Sequence, residues 1–161
     1  VRRDGVYFQT LQFTCGPAAL ITAMTELRRG YKPSQIEELN IWREANLVFM
    51  GEPPAGCGPY GLALSALRRG FNVEIYRYRI KDVFLSRTAN NEQAHAQRLI
   101  SLHDKEQAKA EGAKIVRKRL TQDFIREQLD QQKKLIVLTN HIEDGHWVLV
   151  RGILDNPDAD V

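Results

Sequence analysis

Gln9-Thr-Leu-Gln-Phe-Thr-Cys15-Gly16-Pro17-Ala18-Ala19-Leu20 is the stretch on which the fold turns. A thiol stands directly before Gly-Pro, and an apolar run with helical spacing follows. Pro17 suits the first turn of a helix, where its missing N–H would have had no partner. Leu20, Ile21, Met24 and Leu27 then form one apolar stripe. Gly30 reads as the stop, with Arg28 and Arg29 as cations in the last turn. The spacing therefore predicts a helix over 15–29 with Cys15 at its positive end, where a thiolate is stabilised and a nucleophile is favoured.

A lone cysteine is ordinarily a small buried apolar residue. Two features set this one apart. Gln9 lies six residues upstream, close enough to fold back and offer its amide N–H2 to an oxyanion. Far along the chain, His146 opens the run Trp147-Val-Leu-Val150, a place that would hold an imidazole rigidly. A thiol nucleophile and its base are expected to meet in space and not in sequence. Read alone, His146 on an apolar strand is equally a satisfied core histidine.

Gln-x5-Cys-Gly-Pro-Ala-Ala-Leu near the start, with His-Trp-Val-Leu-Val-x-Gly near the end, resembles the C39 and C39-like papain-fold cysteine peptidases. The segment Gly56-Cys57-Gly58-Pro59-Tyr60-Gly61-Leu62-Ala63 is similar to the stand-alone C39-like branch. The resemblance implies that Cys15 is the nucleophile, Gln9 the oxyanion glutamine and His146 the general base. It also implies a triad Asp on the strand after the histidine. Here the chain ends in Asp155-Asn-Pro-Asp158-Ala-Asp160-Val161, a turn pattern. That acid is expected beyond Val161, with Asp155, Asp158 and Asp160 as stand-ins. The resemblance further implies cleavage after a small-residue pair at the end of a leader peptide.

The length of 161 residues corresponds to one domain, and 43% hydrophobic with 27% charged residues is ordinary for a globular protein. The expected organisation is a single domain over 1–161, excised from or truncated within a longer chain, since the first residue is Val. No apolar run approaches the ~20 residues of a membrane span, and no secretory signal opens the sequence. The net charge is +3. Its basic pairs and triplets (Arg28-Arg29, Arg68-Arg69, Arg117-Lys118-Arg119) do not make one stripe with aromatics, so no nucleic-acid partner is expected. Cys15 and Cys57 are the two cysteines, which argues against a disulfide scaffold and for a reducing, cytoplasmic setting. His95, His103, His141 and His146 lack zinc-ligand spacing, so neither metal nor cofactor is expected.

Ser34-Gln-Ile-Glu37 is a capping box that opens a second helix through about Val48, with Ile36, Leu39, Ile41 and Trp42 as its buried side. Met50 to Pro59 is loop. Tyr60 to Arg69 is a third helix. Cys57, in the same Gly-Pro context as Cys15, is a rival nucleophile. Six residues before it stands Gly51, with no side chain to assist an oxyanion, so Cys57 is read as structural or as lining the same cleft. Phe71 to Ile75 alternates as a strand that continues through Tyr78 and Ile80 with a bulge. Thr88 to Gly112 reads as a polar surface helix, and Lys114 to Leu120 as a short strand. Thr121 caps a helix through about Gln131, with Phe124, Ile125 and Leu129 facing inward. Leu135–Leu138 and Trp147–Val150 are apolar enough for central strands.

Helices first and strands last predict an α+β fold, N-terminal helices packed on an antiparallel sheet, the papain-like arrangement that the resemblance implies. Three functions fit: a cysteine peptidase acting on a leader or linker peptide, a papain-fold acyl or γ-glutamyl transferase, and a non-catalytic peptide-binding relative.

Overall fold

The computed structural model describes residues 2–3, 5–47, 56–78, 91–139 and 145–154. In chain order the elements are β1 (Arg2–Arg3), β2 (Val6–Tyr7), α1 (Cys15–Leu27), α2 (Gln35–Ala45), α3 (Pro59–Arg68), β3 (Glu74–Arg77), α4 (Asn91–Ala110), β4 (Lys114–Arg117), α5 (Gln122–Asp130), β5 (Leu135–Thr139) and β6 (His146–Val150). The mixture of helices and short strands is α+β, as expected.

The first helix begins at Cys15, where the sequence placed it, but ends at Leu27. Arg28 and Arg29 therefore lie outside its last turn. Arg28 serves a different helix: its guanidinium donates to the carbonyls of Arg69 (2.8 Å) and Gly70 (2.9 Å), just past the end of α3. There it meets the negative end of that helix and lies 4.0 Å over the ring of Phe71. Ser34 caps α2 by accepting from the Glu37 N–H, yet Glu37 does not complete the box, because its carboxylate accepts from Arg69 and Tyr31. The buried side agrees with expectation at Ile41 and differs at Ile36. Ile36 is 66% exposed, whereas Glu38, Ile41 and Ala45 are buried. Those three recur at i, i+3 and i+7, the true inward face. Thr121 caps α5 and Phe124 is buried, as expected.

Among the described residues the strands form three two-stranded ladders. β5 and β6 pair antiparallel, with Thr139 opposite His146 and Leu138 opposite Trp147. Both are half-buried more than central, although Trp147 is buried. β3 and β4 pair in parallel, Glu74 opposite Lys114, so the sheet is not antiparallel throughout. A parallel pair needs a crossover, and the polar helix α4 lies between the two in sequence. The strand expected from Phe71 starts only at Glu74, and its register runs unbroken through Ile75 and Tyr76 to Arg77, so the bulge expected there is not present; Ile80 falls outside the described residues, as do Val48, Met50 and Gly51. One cluster of buried side chains, with Ile21, Met24, Ile41, Leu62 and Trp147 in it, joins α1, α2, α3 and β6. A second lies between α3, α4 and the β3–β4 pair.

Two contacts fix these pieces. α3 crosses α2 at Gly61, where an added Cβ would sit 2.6 Å from the Ala45 Cα. At the far end of α1, Glu26 accepts from Arg151 (2.6 Å), which follows β6, and from Lys134 (2.7 Å), which precedes β5. Burial alone would raise the Glu26 pKa, but the two cations outweigh it and hold the carboxyl below its usual range.

Gly61→Ala should cost about 1–3 kcal/mol, because the clash is with backbone and no side chain can turn away. A urea midpoint equal to the wild type's would show that α2 and α3 part freely. A depressed carboxyl contributes stability above the ordinary carboxylate pKa and loses it as pH falls through its folded value. Glu26→Gln should therefore be about 1 kcal/mol less stable than wild type at pH 7. That gap should narrow at an acidic pH below the lowered folded-state pKa, where the wild-type carboxylate is protonated too. Thermal melts at both pH values check it, and a gap unchanged at low pH would mean that charge is not what Glu26 contributes.

Candidate functional site

α1 starts on Cys15 because Thr14 supplies the N-cap position and Pro17 fixes the first turn. The Thr14 hydroxyl does not cap the helix. Its proton goes to Glu38, and the same oxygen lies 2.9 Å from the Leu11 carbonyl. The first turn carries no acidic residue. The thiol thus sits at a helix N-terminus with the positive end of its dipole unopposed within that turn.

Gly16 explains how closely this end of α1 is seated. A Cβ there would lie 3.1 Å from the Trp147 ring, 3.1 Å from Leu62 and 3.3 Å from the Cys57 Cβ. Trp147 is buried, and its Nε1–H donates to the Cys57 carbonyl at 2.9 Å. Cys57 itself is 1% exposed and pairs through its backbone with Asn46. Burial, and then the neighbouring Cys15, push the Cys57 thiol well above its ordinary pKa. Of the two roles expected for Cys57, the structural one is what its surroundings match; it is not among the residues that line the cleft described next. Both cysteines are free.

A cleft of about 250 Å3 runs between the entry segment, the start of α1 and β6. Gln9, Cys15 and His146 all line it, together with apolar side chains that include Val6, Phe8, Ala19 and Val148. Cys15 and His146 are half-buried and Gln9 is exposed. Three residues singled out from distant parts of the sequence are therefore brought to one surface. The His146 carbonyl accepts from the Thr139 hydroxyl across the ladder at 3.2 Å. The Gln9 Nε2 donates to the carbonyls of Leu11 (2.9 Å) and Gln12 (3.3 Å), so its amide is held within its own loop. His141, Asp155, Asp158 and Asp160 lie outside the described residues.

Beneath that loop is a group that hydropathy reading overlooks. Glu38 of α2 is fully buried and accepts from the Tyr7 hydroxyl (2.8 Å), the Thr10 N–H (2.8 Å), the Thr10 hydroxyl (2.8 Å) and the Thr14 hydroxyl. Burial first, and the bond to Glu38 next, raise the Tyr7 phenol well above its ordinary pKa. The signal was its position three residues before Ile41, on the inward face of α2.

Among the described residues no group of three or more His, Cys, Asp or Glu could hold a metal ion, and no helix is long and apolar enough to cross a membrane. No curated protein and no solved structure is significantly similar to the chain. Residues 5–157, nearly the whole length, match the family described as Peptidase C39-like, with the thiol before Gly-Pro and the histidine of β6 both inside the match. The chain belongs to the Peptidase C39-like family.

Proposed function

We propose that this chain is a papain-fold cysteine peptidase acting on a peptide substrate, with Cys15 as nucleophile, His146 as general base and Gln9 as oxyanion donor. The observation that carries the reading is the convergence of these three side chains on one cleft, with Cys15 and His146 standing 131 residues apart in sequence (146 − 15). Family membership supports it, and so does the burial of the rival thiol. A papain-like core is the fold that this membership favours, in which a thiol-bearing helix leans on the strand that bears the base. Two free cysteines, one of them half-buried at a cleft, suit a reducing compartment, in keeping with a cytoplasmic location.

The chemistry follows from the roles. His146 takes the Cys15 proton, and the thiolate attacks the carbonyl carbon of the scissile amide. The negative charge that develops on the carbonyl oxygen is met by the Cys15 N–H and by one N–H of the Gln9 amide. The imidazolium gives its proton to the leaving amine as the C–N bond breaks. Water, deprotonated by His146, then cleaves the thioester and releases the acid. The loop carbonyls that hold Gln9 have to yield one of its two amide protons to the oxyanion. That requirement is also the observation that favours a second reading, a peptide-binding relative without turnover, in which Gln9 stays turned onto Leu11 and Gln12.

Iodoacetamide near neutral pH should label Cys15 and spare Cys57, as mass mapping would report. Cys15→Ala should abolish hydrolysis of a peptide library while keeping the fold. His146→Ala should shift the pH profile of Cys15 labelling upward, and His141→Ala should not. Preferential labelling of Cys57, or a profile moved by His141 alone, would overturn the assignment.

Gln9→Ala should lower kcat by about 10²–10³, as loss of one oxyanion donor does, and leave KM nearly unchanged. Gln12→Ala keeps its backbone carbonyl and should be tolerated. Normal turnover in Gln9→Ala with a defect in Gln12→Ala would remove Gln9 from the site.

A further inference from the structure

We propose that Glu38 is a positioning residue for the oxyanion site: its buried carboxylate sets the shape of the Tyr7–Thr14 segment and so holds Gln9 at the cleft, its amide resting on carbonyls of that segment from which one N–H can be released to an oxyanion. This rests on reading Gln9 as the oxyanion donor and adds to it the device that holds the donor in place.

A carboxylate offers about four lone-pair sites, and here all four are filled. Oε1 takes the Thr10 N–H and the Thr14 hydroxyl; Oε2 takes the Tyr7 and Thr10 hydroxyls. A fully buried charge is tolerated only under such saturation. Where the donors come from is the telling point. All belong to one eight-residue stretch, at positions 7, 10 and 14, which brackets Gln9 and stops one residue before Cys15. A residue that merely stapled α2 to the core would have no need of donors spaced in that way. Within the stretch, the Leu11 N–H donates to the Thr14 hydroxyl, and the carbonyls of Leu11 and Gln12 in turn accept from the Gln9 amide. The direction of that amide thus depends on the loop that Glu38 gathers. Tyr7 is secured a second time, its N–H donating to Thr22 of α1 at 3.1 Å, so the start of the segment is fixed even when the carboxylate is altered.

Glu38→Gln is the informative change. Its single oxygen can serve the Thr10 N–H and the Thr14 hydroxyl, while its NH2 faces two hydroxyls that can turn to accept. The fold should survive, with a looser segment. The readout is the ratio of two rates at Cys15: acylation by p-nitrophenyl acetate, which passes through an oxyanion, and alkylation by iodoacetamide, which does not. Glu38→Gln should lower that ratio about tenfold or more, since a displaced donor is a mispositioned one. Thr10→Val removes one hydroxyl donor and should act in the same direction, and it carries the test if Glu38→Gln fails to fold. In a Gln9→Ala background neither change should lower the ratio further, because the group they aim is gone.

The inference is overturned if Glu38→Gln and Thr10→Val leave the ratio unchanged, slow both reactions alike, or add in full to Gln9→Ala. If Gln9→Ala alone leaves the ratio unchanged, the oxyanion reading of Gln9 is what fails, and Glu38 loses its role with it.

Discussion

The contact on which the site depends is that between Gly16 and Trp147. The backbone of α1 approaches the indole so closely that even a methyl group at position 16 would crowd it at 3.1 Å. Cys15 precedes the one residue and His146 precedes the other. Closing this contact therefore brings the two side chains to one cleft, with Cys15 itself packed against the core cluster that holds Trp147. The neighbouring ring atom of the indole is held as well, since Nε1–H donates to the Cys57 carbonyl. Cys57 is anchored in turn by its backbone pairing with Asn46 at the end of α2, and the Gly58 N–H donates to Ala45 at 2.9 Å. Glycine after the thiol is thus a packing requirement of the β6 tryptophan as much as a feature of the helix start.

Charge is placed around this apolar seat as ties between elements. Arg69 donates to Glu37 (2.6 Å) and Glu44 (2.7 Å) and fastens the end of α3 to two turns of α2. Glu26 does the same between α1 and the two ends of the β5–β6 hairpin, through Lys134 and Arg151. The Arg69 and Glu26 pairs are only partly exposed, so solvent screens them less than it would a free surface pair. The Gly16–Trp147 contact and the Glu26 pairs hold α1 on the hairpin at opposite ends of the helix, which resists rocking of the thiol relative to the imidazole.

What could be read from the sequence followed from local rules with a strong signature. The start of α1, the Ser34 and Thr121 caps, α5 and the two strands of the terminal hairpin all announce themselves in spacing or in turn chemistry. The convergence of Gln9, Cys15 and His146 was legible only through motifs, because no local rule brings residues 15 and 146 together. Two things were hidden for physical reasons. The parallel pairing of β3 and β4 depends on how α4 crosses over, which hydropathy does not encode in a helix as polar as this one. Glu38 was passed over because a carboxylate on an amphipathic helix is ordinarily solvated. Only the donors of a segment 24–31 residues earlier make its burial tolerable. Ile36 is the same error inverted, an apolar side chain left at 66% exposure because Glu38 had taken the inward turn.

The site is accordingly held by two mechanisms of different kind. Thiol and imidazole are located by close packing of backbone on an aromatic ring, which is short-ranged and insensitive to pH and salt. The segment with the glutamine is located by a buried carboxylate and four donors, which is directional and fails abruptly when one partner is lost. The two can therefore separate. A chain that keeps its packing but loosens its polar network retains Cys15 and His146 on one cleft, and loses the hold on the segment that carries Gln9. On the proposed reading, in which Gln9 receives charge from the substrate, the polar network is the part of the site that bears on turnover, while the packing bears on the thiol and the imidazole alone.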